Sequence, residues 1–190
     1  MKVAVILGSP RVTSNSTQLA EAAVKASGAD SSEVSKFHLN SLNIKGCHGC
    51  FSCKTKTEVC VIKDDLAKVL TTAAQADLVV LTAPIYIGEI TAQQKIFIDR
   101  TFSWFKPDFK SNSVPGRLSP GRKLLFIVTQ GNPDSSAYKK NVDAYVGYFR
   151  AQNFTAESFI VAGLGGDDVT VTKPEAVLEA EKAVTSLLKS

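Results

Sequence analysis

Long apolar runs and blocks of basic residues are both missing from this sequence. The apolar run near the start, Val3 to Leu7, holds five residues, which is too short for a secretion signal, and no run approaches a membrane span. Lysine and arginine number 22 against 18 acidic residues, a net charge of +4 without a clustered basic face. We therefore expect neither a membrane span nor nucleic-acid binding.

Cysteine is absent outside one short stretch, GCHGCFSCKTKTEVC at residues 46–60, which holds all four cysteines of the chain. Without a secretion signal, we expect a cytoplasmic location. In a reducing compartment, clustered cysteines are more often metal ligands or redox groups than structural disulfides. The 190 residues contain no internal repeat, linker or low-complexity tract, so we expect a single domain over residues 1–190.

Strand and helix patterns alternate along the chain, which indicates an α/β fold with a parallel sheet and helices on both faces. Such sheets bind ligands beyond the carboxyl ends of their strands. The patterns predict strands at 3–7, 33–39, 78–81, 123–129 and around 159–161, and helices at 18–26, 64–75, 94–105, 138–152 and 174–188. Asp64 and Asp65 are expected to open the second of these helices, where the helix dipole favours acids.

A loop rich in hydroxyl groups, GSPRVTSNST at residues 8–17, follows the first predicted strand and leads into a helix. Free N–H groups at a helix start, hydroxyl donors and one guanidinium together predict a phosphate site. The loop lacks the Gly-Lys-Ser/Thr ending of a nucleoside-triphosphate loop and the three glycines of the dinucleotide fingerprint. A polar turn with a Ser/Thr helix cap is the alternative.

With its other loops in view, the chain resembles the flavodoxin-like NAD(P)H-dependent FMN reductases, and more narrowly their iron–sulfur flavoprotein branch. The resemblance rests on residues 8–17, the cysteine run at 47–60, APIYIGEITAQQKIFIDR at 83–100 and TQGN at 129–132. It implies a five-stranded sheet in the order 2-1-3-4-5 and bound FMN. The implied FMN residues are Ser9, Arg11, Ser14, Asn15, Ser16 and Thr17 for the phosphate, Pro84, Ile85, Tyr86, Ile87 and Gly88 for the ring, and Thr129, Gln130, Gly131 and Asn132 in a third loop.

The ring loop also has a physical rationale. Pro84, Ile85 and Tyr86 can cover an apolar flavin while backbone N–H groups meet its polar edge, and such contacts tune the flavin. A strand exit packed on the core is the alternative for PIYIG. Tyr86 and Asn132 are the residues we expect nearest the reacting ring, and no protein acid or base is required as a catalytic group.

The cysteine spacing is Cys47-x2-Cys50-x2-Cys53-x6-Cys60. Its C-x2-C-x2-C beginning is the one that bacterial ferredoxins use for a [4Fe–4S] cluster, and in the resembled branch these four positions are the cluster ligands. Zinc, which usually takes two separated knuckles, and cluster-free redox thiols remain alternatives. Lys54, Lys56 and Lys63 flank the run. They would offset some negative charge of a thiolate-bound cluster, but we favour the alternative that they form a solvated face.

The resemblance implies an oxidoreductase that moves electrons between NAD(P)H or reduced ferredoxin and a quinone, an oxygen species or another acceptor. It also implies a homodimer or homotetramer, with residues 83–105 and the cysteine loop at the interfaces. Phe102, Trp104 and Phe105 are then either interface or core aromatics. A cluster-free NAD(P)H-dependent FMN or quinone reductase, a flavodoxin-type electron carrier and a thiol-based sensor remain alternatives.

Overall fold

The computed structural model describes residues 1–166 and 168–190. The strands are β1 (Val3–Leu7), β2 (Val34–His38), β3 (Leu78–Tyr86), β4 (Glu89–Ile90), β5 (Arg122–Thr129) and β6 (Phe154–Val161). The helices are α1 (Asn15–Ala26), α2 (Ser52–Thr55), α3 (Leu66–Gln75), α4 (Ala92–Arg100), α5 (Lys139–Ala151), α6 (Val169–Thr172) and α7 (Pro174–Lys189). Short 3-10 turns lie at Ser31–Glu33, Leu39–Ser41 and Thr101–Trp104.

Five strands form a parallel sheet in the order β2-β1-β3-β5-β6. This confirms the predicted flavodoxin-like order 2-1-3-4-5 of the parallel strands. A sixth strand, the two-residue β4, pairs antiparallel with the end of β3 and was not expected. It exists because the chain doubles back immediately after β3.

β3 runs to Tyr86, five residues past its predicted end at Leu81, although it contains Pro84. The carbonyl of Thr82 accepts a hydrogen bond from the N–H of Gly8, so Thr82 directs its backbone polar groups toward β1. Pro84, two residues on, faces the same side, but β1 has already ended at Leu7. The missing N–H of proline therefore removes no bond from the ladder.

Each face of the sheet is covered by helices. Ala4 and Ile6 of β1 belong to one buried cluster, together with apolar side chains of α3, α4 and α5. Val3, Val5 and Leu7 alternate onto the other face, where α1 and α7 cover them. Burial on both faces explains why β1 is an uninterrupted apolar run rather than an alternating one. None of the described helices is both long and apolar enough to cross a membrane.

Gly8 lies where β1 passes into the hydroxyl-rich loop, and a Cβ there would come within 2.8 Å of the Thr82 carbonyl and Gln94. We expect Gly8→Ala to lower the free energy of unfolding by about 1–3 kcal/mol, because backbone must shift to make room. Urea unfolding measures the change. The matched control is Gly147→Ala on the exposed side of α5, where a Cβ meets nothing within 4 Å. The free energy of unfolding of that variant should rise by about 0.5–1 kcal/mol. Equal changes in the free energy of unfolding at the two sites would contradict the argument.

Candidate functional site

Three loops meet at the carboxyl edge of the sheet. β1, β3 and β5 are neighbours, so the segments that follow them, from Gly8, Ile87 and Gln130 onward, leave the sheet side by side. Gly8 joins the first two loops: its N–H donates to Thr82 O at 2.9 Å, and its carbonyl accepts from the Thr91 hydroxyl at 2.7 Å. The cysteine loop follows β2 at the same edge.

The hydroxyl-rich loop ends in a connected set of side chains at the start of α1. Ser14 caps the helix by accepting from the Thr17 N–H at 3.2 Å, and its hydroxyl shares hydrogen bonds with those of Ser16 and Thr17. These three residues and Ser9 are buried. The first turn of α1 carries no acidic side chain. Hydroxyl donors at an acid-free helix start fit an anionic group such as the phosphate of FMN.

Arg11 and Asn15 are the two residues expected at the phosphate that carry no hydroxyl group. Arg11 is exposed. Asn15 is buried, and its Oδ1 accepts a hydrogen bond from Val169 N at 3.1 Å, which ties the start of α1 to α6. The amide oxygen of Asn15 therefore has a structural partner.

The ring loop is a tight hairpin between β3 and β4. Its two turn residues both have positive φ, 50° at Ile87 and 80° at Gly88. A positive φ is ordinary for glycine but strained for a β-branched residue. Ile87 is fully exposed and Tyr86 is 45% exposed, beside half-buried Pro84 and Ile85. An exposed apolar tip on a strained turn indicates a binding surface rather than a core-packed strand exit.

The third loop is organised by Gln130, which is buried together with Thr129. The Nε2 of Gln130 donates to the carbonyls of Asn132 and Asp134 at 3.0 and 2.6 Å. Its Oε1 has no partner among the described residues although it is buried. Asn132 lies exposed beside Gly131, and its Oδ1 accepts from the Asp134 N–H, so its side chain shapes the loop.

All four cysteines line one cavity of about 140 Å³. Cys47 and Cys50 are exposed, and Cys53 and Cys60 are half-buried. Positive φ angles at Gly49 and Phe51 turn the chain so that α2 presents Cys53 to the cavity. Hydrogen bonds from Ser52 lower the pKa of the Cys50 thiol. Among the described residues, no three His, Cys, Asp or Glu side chains are placed to hold a single metal ion.

Arg100, at the end of α4, closes the cysteine loop from beneath. Its side chain and that of Asp64 are both fully buried and form a two-pronged ion pair, at 2.9 and 3.2 Å. Its Nε donates to the Cys60 sulfur at 3.0 Å. Burial alone would raise the pKa of Asp64, but hydrogen bonds from Arg100 and the Lys45 N–H, with the guanidinium charge, hold it below its usual value.

Comparison with known proteins identifies the family. The family model of the NADPH-dependent FMN reductases matches residues 1–146, more than half of the chain. The chain belongs to the NADPH-dependent FMN reductase family. This confirms the resemblance drawn from the sequence.

Relatives within the family carry the name iron–sulfur flavoprotein. One from Archaeoglobus fulgidus is 41% identical over 138 residues, 72% of this chain and 59% of the relative. One from Methanosarcina thermophila is 30% identical over 122 residues, 64% of this chain and 63% of the relative. The chain thus spans less than two thirds of the length of these curated relatives.

Solved structures agree on the fold. An FMN-dependent NADH-azoreductase from Bacillus anthracis superposes with a TM-score of 0.72 at 18% identity, covering 99% of this chain and all of that one. An NAD(P)H:quinone oxidoreductase from Methanothermobacter marburgensis superposes with a TM-score of 0.70 at 14% identity, covering 98% of this chain and 96% of that one. At such identities the likeness shows the fold alone.

A second set of contacts holds the cysteine loop against the 3-10 turn at 101–104. The Lys54 ammonium donates to the carbonyls of Phe102 and Phe105 at 2.5 and 2.8 Å, and lies 4.2 Å from the centre of the Phe102 ring. Burial and Arg117 lower the pKa of Lys54 against the opposing effect of Cys53. The expectation of a solvated face is therefore wrong for Lys54, while Lys56 and Lys63 are exposed.

An aromatic groove of about 800 Å³ adjoins the cysteine cavity between α4 and α5. Cys47, Asp99 and Phe102 line both spaces. Trp104 is buried in the core, and Phe105 is also buried although it reaches the groove. Burial, and then the carboxylate of Glu89, raise the pKa of Tyr145 in the groove wall to about 12, so its hydroxyl keeps its proton at neutral pH.

Sequence reasoning missed the Arg100–Asp64 pair. Asp64 lies at the start of α3 as expected, and its carbonyl accepts a hydrogen bond from the Ala67 N–H at 3.1 Å. The helix-start pattern does not predict that its carboxylate also accepts hydrogen bonds from Arg100 and the Lys45 N–H. One signal was available. Arg100 follows Phe97 by three residues and so shares its buried face of α4. An arginine on an apolar face requires a partner.

The buried pair makes stability depend on Asp64. We expect Asp64→Asn to lower the free energy of unfolding by about 3–5 kcal/mol at pH 7, because it leaves a buried guanidinium without its counter-ion. Folding lowers the pKa of Asp64, so the ionised carboxylate contributes to the free energy of unfolding. This contribution is complete above the pKa of Asp64 in the unfolded chain and is lost as the pH falls through its lower pKa in the folded protein. Urea unfolding should therefore show the two proteins converging as pH drops below about 4. A difference that is constant with pH would contradict this origin.

Proposed function

We propose that this chain is an FMN-dependent oxidoreductase that also holds a [4Fe–4S] cluster at Cys47, Cys50, Cys53 and Cys60. It takes electrons from NAD(P)H or reduced ferredoxin and delivers them to a small acceptor such as a quinone. The observation that carries the proposal is the single cavity lined by all four cysteines, at the same sheet edge as the hydroxyl-rich loop. We propose one domain over residues 1–190.

The fit to FMN rests on the three loops. The buried hydroxyls of Ser9, Ser14, Ser16 and Thr17 suit the phosphate. Arg11 lies at the surface of the same loop, and Asn15 is buried at its base. The exposed apolar hairpin of Pro84–Gly88 suits one face of a flat ring. Residues Thr129–Asn132 border it, with the unpartnered Gln130 Oε1 as an acceptor. Tyr86 and Asn132 stay predictions for the residues nearest the ring.

The fit to a cluster rests on the cysteine spacing and on the shared cavity. All four cysteines line one space of about 140 Å³. The overlapping C-x2-C-x2-C start is the spacing that bacterial ferredoxins use for a [4Fe–4S] cluster, whereas zinc usually takes two separated knuckles, so the spacing favours the cluster over zinc. A cluster-free FMN or quinone reductase, in which the exposed Cys47 and Cys50 act as redox thiols, is the second candidate.

The division of work between protein and cofactors follows from the residues present. Flavin and cluster together supply interconversion of two-electron and one-electron transfer when they are bound. The chain's own residues bind and orient: hydroxyls hold the phosphate, the hairpin covers the ring, and Arg100, Lys54 and Arg117 fix the cysteine loop. No side chain is required to move a proton.

We further propose a homodimer or homotetramer. The aromatic groove between α4 and α5 reaches from Glu89 of the hairpin to Cys47. Residues 83–105 and the cysteine loop both border it, so a second copy seated there covers apolar surface and lies beside the cysteines.

The cluster is tested by anaerobic purification with iron and sulfide assays and a visible spectrum. We expect about four irons per chain and broad absorbance beneath resolved flavin bands. Cys53→Ser should lose the iron and keep the flavin bands, since Cys53 lies outside the three loops assigned to FMN. Flavin bands without iron after anaerobic reconstitution would contradict the cluster and leave the cluster-free reductase.

The phosphate loop is tested by FMN titration. Ser16→Ala removes a buried hydroxyl at the start of α1, and a hydrogen bond to a charged group contributes about 1.5–3 kcal/mol, so FMN affinity should fall about 10- to 100-fold. Ser113→Ala, at an exposed serine in the connection before β5, is the control and should bind FMN normally. NAD(P)H oxidation with added FMN then separates an enzyme from an electron carrier. Unchanged FMN affinity in the Ser16 variant would remove this loop from the site.

A further inference from the structure

We propose that Arg100 is a positioning residue that holds the cysteine loop closed before any metal binds and sets Cys60 apart from the other three cysteines. The inference rests on the proposed function only in taking the cysteines as cluster ligands. The closing of the loop is a property of the metal-free chain and can be measured without a cluster.

Arg100 uses every donor it has on the cysteine loop and its two ends. A guanidinium carries five N–H groups. They reach the Cys60 sulfur, the Lys45 and Ile62 carbonyls and both oxygens of Asp64, at 2.9–3.2 Å. Lys45 precedes the first cysteine and Ile62 follows the last. One rigid planar group therefore holds the entry and the exit of the loop together.

Charge explains why an arginine is suited to this position. Arg100 and Asp64 cancel each other inside the protein, where an unpaired charge is costly. The Nε–H group remains directed at the Cys60 sulfur and fixes its position in the cavity. Lysine has a single charged nitrogen on a flexible stem, so it cannot hold Asp64, two carbonyls and a sulfur at once.

The other tether of the loop acts differently. Arg117 donates through Nη2 to the Cys53 carbonyl at 3.0 Å and through Nε to the Phe105 carbonyl at 2.9 Å. It also pairs with the Glu58 carboxylate at 3.0 Å, but among the described residues it donates to no cysteine sulfur, whereas Arg100 does. Arg117→Lys is therefore a matched control for a purely structural loss.

The first measurement is amide hydrogen exchange of the metal-free protein. Arg100→Lys should speed exchange across residues 46–62 about tenfold or more, as expected when local opening loses one or two hydrogen bonds. Exchange at wild-type rates would overturn the positioning role. Should Arg100→Lys fail to fold, the double variant Arg100→Gln with Asp64→Asn replaces the buried ion pair by neutral amides and keeps the fold testable.

The second measurement is the reduction potential of the anaerobically reconstituted protein. Hydrogen bonds to cluster sulfurs raise the potential. The Arg100 variants should therefore have a lower potential than wild type, while Arg117→Lys loosens the loop but keeps the wild-type value. Equal potentials in wild type and both Arg100 variants would overturn the special role of Cys60. A wild-type chain that takes up no iron would overturn the proposed cluster and the Cys60 role, while the exchange data would still decide the closing of the loop.

Discussion

The ion pair between Arg100 and Asp64 is the contact on which the organisation of the cysteine loop depends. Residues 46–60 have no strand and only one turn of helix to hold them, and several of their side chains are exposed. A buried guanidinium beneath them connects α4, the start of the loop, its end and one cysteine. Both side chains are buried, so an arrangement that separated them would leave an unpaired charge inside the protein and is disfavoured.

The sheet supplies the other half of the arrangement. Parallel strands end at one edge, so the loops after β1, β2, β3 and β5 are neighbours although they are far apart in sequence. The tight approach of Gly8 to Thr82 and Gln94 fixes the start of the hydroxyl-rich loop against β3 and α4. α4 begins beside this hairpin and ends at Arg100, so one helix of nine residues runs between the flavin-type loops and the cysteines.

Sequence patterns predicted the parallel sheet and the meeting of the loops at one edge, because apolar runs and strand–helix alternation are local signals that survive folding. The strand order came from the family resemblance, since local patterns do not specify which strands pair. The ion pair of Asp64 was missed because Asp-Asp before an apolar helix is already explained as a helix start, and Arg100 lies 36 residues away. Lys54 was misassigned because its acceptors, the carbonyls of Phe102 and Phe105, exist only once the 3-10 turn forms. The β4 hairpin was missed because Ile-Gly is not a usual pair for a turn with two positive φ angles.

Diffraction at the iron absorption edge from anaerobically reconstituted, FMN-loaded crystals tests the central claim most directly. The account predicts anomalous density within the cavity bounded by Cys47, Cys50, Cys53 and Cys60. The Cys60 sulfur should still accept a hydrogen bond from Arg100. Flavin density should lie over the Pro84–Gly88 hairpin, with the phosphate at the start of α1. Flavin density in that place with an iron-free cavity would contradict the cluster. Iron at the cysteines with flavin bound elsewhere would contradict the assignment of the three loops.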